Sequence, residues 1–72
     1  MSNFINDEII IDFPVPASFQ RVMDRMEQYD AEDDYGMYNA VCEPFHVDCK
    51  NACANGTITK KQWELLEMRY QL

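Results

Sequence analysis

Basic residues, histidine and glycine are scarce in this chain of 72 residues. It has six lysines and arginines against 13 aspartates and glutamates, one histidine and two glycines. With a net charge of −7 the chain repels phosphate backbones, so direct binding to DNA or RNA is disfavoured. A glycine-rich turn of the kind that can build an oxyanion hole is also missing, and this absence disfavours an enzyme.

Long apolar runs are missing as well. The longest, residues 9–11, is far too short to cross a bilayer, and no basic stretch followed by an apolar one opens the sequence. Three cysteines cannot all pair, and Cys49 and Cys53 at helical spacing are too far apart for an unstrained disulfide. We therefore expect reduced thiols, no membrane partner and a cytoplasmic location.

The chain does contain enough apolar material for one small core. Its hydrophobic fraction is 47%, including nine aromatic residues, which favours a folded domain over a disordered chain. A domain of this size is stable by a narrow margin unless a metal or a partner subunit helps. The net charge is uneven: residues 1–34 carry nine acids and two arginines, whereas residues 35–72 carry four acids and four bases.

The N-terminal part favours an extended conformation. Residues 8–15 contain three consecutive isoleucines and Phe13, and Pro14 and Pro16 close the segment. A strand here has no ladder partner within the chain. We therefore expect residues 1–16 to form an extended arm that packs over the helices or pairs with a second copy.

Residues 17–72 carry the patterns of helices. An apolar stripe predicts a helix over residues 18–29 with Ser18 as its N-cap, and the acids of residues 30–34 can cap the next helix. Because a proline inside a helix is costly, Pro44 favours two helices, 34–41 and 44–54, with a single kinked helix as the alternative. Asn55 and Gly56 end this region.

The last helix has the clearest start signal. Thr59 is an N-cap and Gln62, three residues later, completes a capping box, so the helix runs over residues 60–70. The whole chain is thus predicted to be a single small all-α domain of three to four helices with an extended N-terminal arm. The expected core consists of Phe13, Phe19, Val22, Met26, Tyr38, Cys42, Phe45, Cys49, Trp63, Leu66 and Tyr70.

The three cysteines and the histidine form a stripe. Cys42, His46, Cys49 and Cys53 fall within an arc of about 60° on a helix, and thiolates and imidazole are the ligands zinc prefers. Four ligands on one straight helix cannot surround an ion, so zinc at Cys42, His46 and Cys49 requires the helix to break at Pro44. Buried cysteine in a core seam is the simpler interpretation, and we expect neither a cofactor nor a catalytic residue.

Residues 52–70 resemble the short helical modules found at the C-termini of many bacterial proteins, called SHOCT domains. The likeness rests on Gly56, Ile58, Thr59, Gln62, Leu65 and Leu66. Lys60 and Lys61 depart from it, because acids are usual at those places, and so does Trp63 in the apolar stripe. The resemblance implies a bacterial protein that oligomerises or docks onto another protein.

These patterns together predict a small non-enzymatic protein-interaction module that self-associates, with a homodimer as one form. One alternative is an acidic inhibitor that mimics nucleic acid on a basic partner protein, and a second is a small zinc-binding domain. The expected contact residues are apolar ones in the arm and acids after the first helix: Ile9, Ile11, Phe13, Asp30, Glu32, Asp33 and Asp34.

Overall fold

The computed structural model describes residues 3–72 and shows three helices. They are α1 (Ala17–Ala31), α2 (Tyr35–Ala54) and α3 (Lys60–Tyr70). The middle helix packs against both of the others. The all-α prediction is confirmed in its three-helix form.

Helix α2 passes through Pro44 without a break, so the prediction of two helices is wrong and the single-helix alternative is correct. Pro44 and Ala40, whose carbonyl loses its intrahelical donor, are both exposed. Water can therefore solvate that carbonyl. Packing on the opposite face, at Phe45 and Cys49, holds the helix together across the proline.

The helix ends follow local chemistry. Asp34 accepts a hydrogen bond from the amide of Met37 at 3.1 Å and caps α2, as predicted. The capping box of α3 is also confirmed, since Thr59 Oγ1 accepts from the Gln62 amide at 3.1 Å and Gln62 Oε1 accepts from the Thr59 amide at 2.9 Å. Ser18 is not a cap: α1 begins one residue earlier, after Pro16, with no side-chain capping bond.

The turn between α1 and α2 uses a left-handed aspartate. Asp33 has φ 55°, and its amide bonds to the carbonyl of Asp30 while the amide of Asp34 bonds to that of Tyr29. This pair of bonds is a Schellman motif, which usually has glycine at the left-handed position. Gly56, with φ 83°, takes that position after α2, as predicted.

The core lies where α2 meets the other two helices. The ring of Phe45 contacts those of Phe19 and Tyr70 edge-on, with centroids 5.2 and 6.2 Å apart. The hydroxyl of Tyr38 donates to the backbone carbonyl of Tyr70 at 2.8 Å. Eight of the predicted core residues are buried, whereas Phe13, Val22 and Trp63 are half-buried at its edge. Sequence reasoning left four buried residues out of that core: Ile5, Met23, Ala52 and Ile58.

Residues 3–16, called the N-terminal segment below, form neither a helix nor a strand, so the strand predicted at residues 8–15 is not formed. Residues 1 and 2 of the predicted arm lie outside the described range. The segment lies on the helices of its own chain: the amide of Asn6 donates to the carbonyl of Arg69 at 2.7 Å, and Arg69 Nη1 donates to the carbonyl of Ile9 at 2.7 Å. These bonds to α3 replace the ladder that a strand would need.

Asp30 fixes the start of this segment. Asp30 is 5% exposed, and its Oδ1 accepts hydrogen bonds from three consecutive backbone amides, those of Asn3, Phe4 and Ile5. The side-chain amide of Asn3 donates in turn to the carbonyl of Asp30 at 2.8 Å. A buried carboxylate is stable only with such donors, and here the donors lie 25 to 27 residues earlier in the chain.

Replacing Asp30 by alanine removes this acceptor and leaves the buried amide of Ile5 and two partly buried amides without their partner. We expect Asp30→Ala to lower the free energy of unfolding by about 2–4 kcal/mol, as measured by urea denaturation. Asp33→Asn is the matched control, because it removes a charge from the same cluster at a left-handed position that asparagine tolerates. Equal stability of the two variants would contradict this role for Asp30.

Replacing Pro44 by alanine restores an N–H to the middle of α2. We expect Pro44→Ala to raise the free energy of unfolding by about 1–3 kcal/mol, because the carbonyl of Ala40 regains its donor and the ring clash disappears. Pro14→Ala is the control, since Pro14 is exposed in the N-terminal segment outside any helix. Thermal unfolding that shows no gain for Pro44→Ala would contradict the prediction.

Candidate functional site

The cysteine and histidine stripe is divided between core and surface. Cys42 and Cys49 are buried, Cys53 is half-buried, and all three thiols are free. His46 turns towards α3, where its Nδ1 lies 2.9 Å from Oε1 of Glu67. The approach is oblique, so this close contact is not a well-directed hydrogen bond.

The buried thiols are held in their neutral form. Burial, with the nearby carboxylates of Asp48 and Glu67, raises the pKa of the Cys49 thiol to about 12, and burial also raises the pKa of Cys42. Thiolate is the form that attacks substrates and binds metals. In residues 3–72, no three histidine, cysteine or acidic side chains lie close enough to share a metal ion. Cys42, His46 and Cys49 are therefore not brought together as ligands.

The predicted apolar contact residues pack on their own chain. Ile9, Ile11 and Phe13 are half-buried, and the last two line a hollow of about 240 Å³ with Met23 and Tyr70. Ile10, which is not one of the predicted contact residues, is 66% exposed. The N-terminal segment thus offers less free apolar surface than its sequence suggests.

The predicted acidic residues do not form one continuous surface. Asp30 is buried and Asp34 is half-buried as the cap of α2. Glu32 is exposed and accepts a hydrogen bond from Gln28 at 3.1 Å, and Asp33 is exposed in the turn. Two of the four acids thus serve the fold.

A groove between α2 and the C-terminal residues is the feature that sequence reasoning missed. It has a volume of about 420 Å³ and a mostly apolar lining. We call it the C-terminal groove, and its walls are formed by Asn39, Cys42, Glu43, His46, Val47, Gln71 and Leu72. A smaller hollow of about 160 Å³ continues it towards Phe4 and Tyr35.

The C-terminal groove combines apolar surface with a few polar groups. Val47 is 51% exposed at its edge, Leu72 is half-buried, and the buried Cys42 is one of its lining residues. Glu43 and His46 supply one acid and one base. Val47 could have been noticed in the sequence, because it is an apolar residue off the buried seam of α2. The positions of Gln71 and Leu72 gave no such signal.

Raising the pH should destabilise the protein through the buried thiol. The Cys49 pKa is near 9.0 in an unfolded chain and about 12 in the folded one, so above pH 9.0 the unfolded state binds fewer protons. The contribution of this thiol to the free energy of unfolding is fully present below pH 9.0 and is lost as the pH rises towards 12. Each group whose pKa is raised in this way lowers the free energy of unfolding by up to about 1.4 kcal/mol per pH unit.

Cys49→Ala tests this assignment, with the free energy of unfolding measured by urea denaturation across that pH range. The cavity left by the variant costs the same at every pH, so only the slope reports the titration. We expect the free energy of unfolding of Cys49→Ala to fall less steeply with pH than that of the wild type. Burial also raises the pKa of Tyr38, so part of the fall remains in both proteins. Identical slopes would show that Cys49 does not titrate in this way.

Comparison of the chain with protein-family models, curated proteins and solved structures finds no match. The likeness of residues 52–70 to SHOCT domains therefore stays a resemblance of one capped helix and the turn before it. In residues 3–72, no helix is both long and apolar enough to span a membrane. Function must be inferred from the C-terminal groove and the charges around it.

Proposed function

We propose that this protein is a small non-enzymatic interaction module that self-associates through the C-terminal groove. The observation that carries the proposal is the groove itself, an open and mostly apolar surface bordered by the half-exposed Val47. Apolar surface of this kind is stabilised when another chain covers it. The core is small and is centred on one cluster of aromatic rings around Phe45. A domain with so small a core gains stability when a partner binds it.

Charge supports a second copy as the partner. Residues 35–72, which supply every residue of the groove, carry equal numbers of acids and bases, whereas residues 1–34 carry the whole net charge of −7. Two copies that meet at the groove keep their acidic halves apart from the interface. Three free cysteines also support a reducing, cytoplasmic location.

Several features favour binding over catalysis. The buried thiols of Cys42 and Cys49 are held neutral, and His46 contacts a carboxylate of α3 instead of a nucleophile. The N-terminal segment, residues 3–16, covers the helices of its own chain. Deleting this segment removes Ile5 from the core and the donors from Asp30, so such a deletion would test folding and not association.

An acidic inhibitor of a basic partner protein is the second candidate. The exposed carboxylates of Glu32 and Asp33 in the turn after α1 favour it, together with that of Asp24 in the middle of the helix. The burial of Asp30 counts against a phosphate-like row of charges. We therefore rank this function below self-association.

Val47→Glu tests the proposal by placing a charge at the edge of the groove. We expect the wild type to shift from monomer to dimer as its concentration rises in sedimentation equilibrium, and Val47→Glu to stay monomeric. Met68→Glu is the matched control, because Met68 on α3 is 54% exposed, lies outside the groove and gains the same charge. That control should dimerise like the wild type.

Two results would overturn the proposal. If the wild type stays monomeric at every concentration, the protein does not self-associate, and any partner in the groove is a different protein. Equal dimerisation of Val47→Glu and the wild type places the contact elsewhere on the surface.

A further inference from the structure

One face of α2, beside the C-terminal groove, carries opposite charges in a simple order. Asn39, Glu43, His46 and Lys50 fall within an arc of about 60° around the helix axis. Asn39, Glu43 and Lys50 are exposed, and the side chain of His46 is 43% exposed. Along this face the acidic Glu43 therefore precedes the two basic side chains, His46 and Lys50.

Two of these charges have no partner in the part of the chain that the structure describes. Glu43 and Lys50 take part in no ion pair and no side-chain hydrogen bond among residues 3–72. The carboxylate of Glu67, by contrast, is already in contact with His46. The free charges on this face are thus available to another molecule.

The positions of these residues are symmetric along the helix. Glu43 and His46 lie at equal distances on either side of a point midway between Pro44 and Phe45, and Asn39 and Lys50 lie at equal distances from the same point. In a two-fold pair of antiparallel helices, residues equidistant from the axis face each other. A two-fold axis at this level therefore places Glu43 of each copy opposite His46 of the other, within one turn of Lys50.

The alternative arrangement is unfavourable. Parallel α2 helices in register would place Glu43 against Glu43 and Lys50 against Lys50, and like charges across an interface oppose association. The order of charges on this face therefore selects the antiparallel pair.

We propose that the partner in the C-terminal groove is a second copy of this chain whose α2 runs antiparallel, so that Glu43 of each copy pairs with His46 and Lys50 of the other. This inference rests on the proposed self-association and adds its register. The apolar edge at Val47 supplies burial beside the helix pair, and Leu72 lines the same groove. The exposed charges fix orientation more than they add affinity.

Charge reversal at two positions tests the register. We expect Glu43→Lys and Lys50→Glu each to weaken dimerisation by about threefold to tenfold in sedimentation equilibrium, since each makes both Glu43–Lys50 contacts of the dimer repulsive. In the double variant, Lys at position 43 meets Glu at position 50 of the other copy, so affinity should recover relative to both single variants, while the contact of position 43 with His46 is not restored. Both residues are exposed, and circular dichroism should show an unchanged fold.

The outcomes separate the two proposals. If the wild type dimerises but neither single variant weakens it, the antiparallel register is wrong while self-association stands. The same conclusion follows if both single variants weaken it and the double variant does not recover. A wild type that remains monomeric overturns both proposals together.

Discussion

Three consecutive backbone amides, those of residues 3–5, donate to one carboxylate oxygen of Asp30, and this contact joins the N-terminal segment to the helices. Asp30 also takes part in the turn after α1, where its carbonyl accepts the amide of Asp33. The same residue therefore ends one helix and anchors the segment that covers the core. With this anchor in place Ile5 is buried, and the ring of Phe4 contacts that of Tyr35 edge-on and that of Tyr38 at a tilt, with centroids 5.3 and 5.1 Å away.

Helix α2 is the second feature on which the structure depends, because it contacts both other helices and lines the C-terminal groove. Its buried face, at Phe45 and Cys49, gains enough from packing to keep a proline in the helix interior. The cost is confined to an exposed carbonyl that water can reach. Continuity through Pro44 keeps Glu43 and His46 on one rigid face beside the groove, which two separate helices would not do.

The division of charge connects the fold to the proposed function. The acidic first half supplies the anchor at Asp30, the cap at Asp34 and several solvated carboxylates. The balanced second half supplies a surface where another copy can approach without strong repulsion. Burial holds the thiols of Cys42 and Cys49 in their neutral form, and the proposed contact rests on apolar burial and ion pairing.

Local signals in the sequence determined the class of the fold and both ends of α3. The capping box of Thr59 and Gln62 and the left-handed Gly56 depend on neighbours within a few residues, so the bounds of α3 were predictable. The sequence also placed Phe45, Cys49 and Leu66 in the core, since helical periodicity records which face is buried.

Only the tertiary structure decided the rest, because the deciding contacts join residues far apart in the chain. The burial of Asp30 depends on amides 25 to 27 residues away, and the fate of the predicted strand depends on Arg69, 60 residues from Ile9. The C-terminal groove likewise arises where Leu72 returns to α2 beside Val47. Such contacts leave no periodic pattern in the sequence, since the free energy that selects them appears only once the helices have packed.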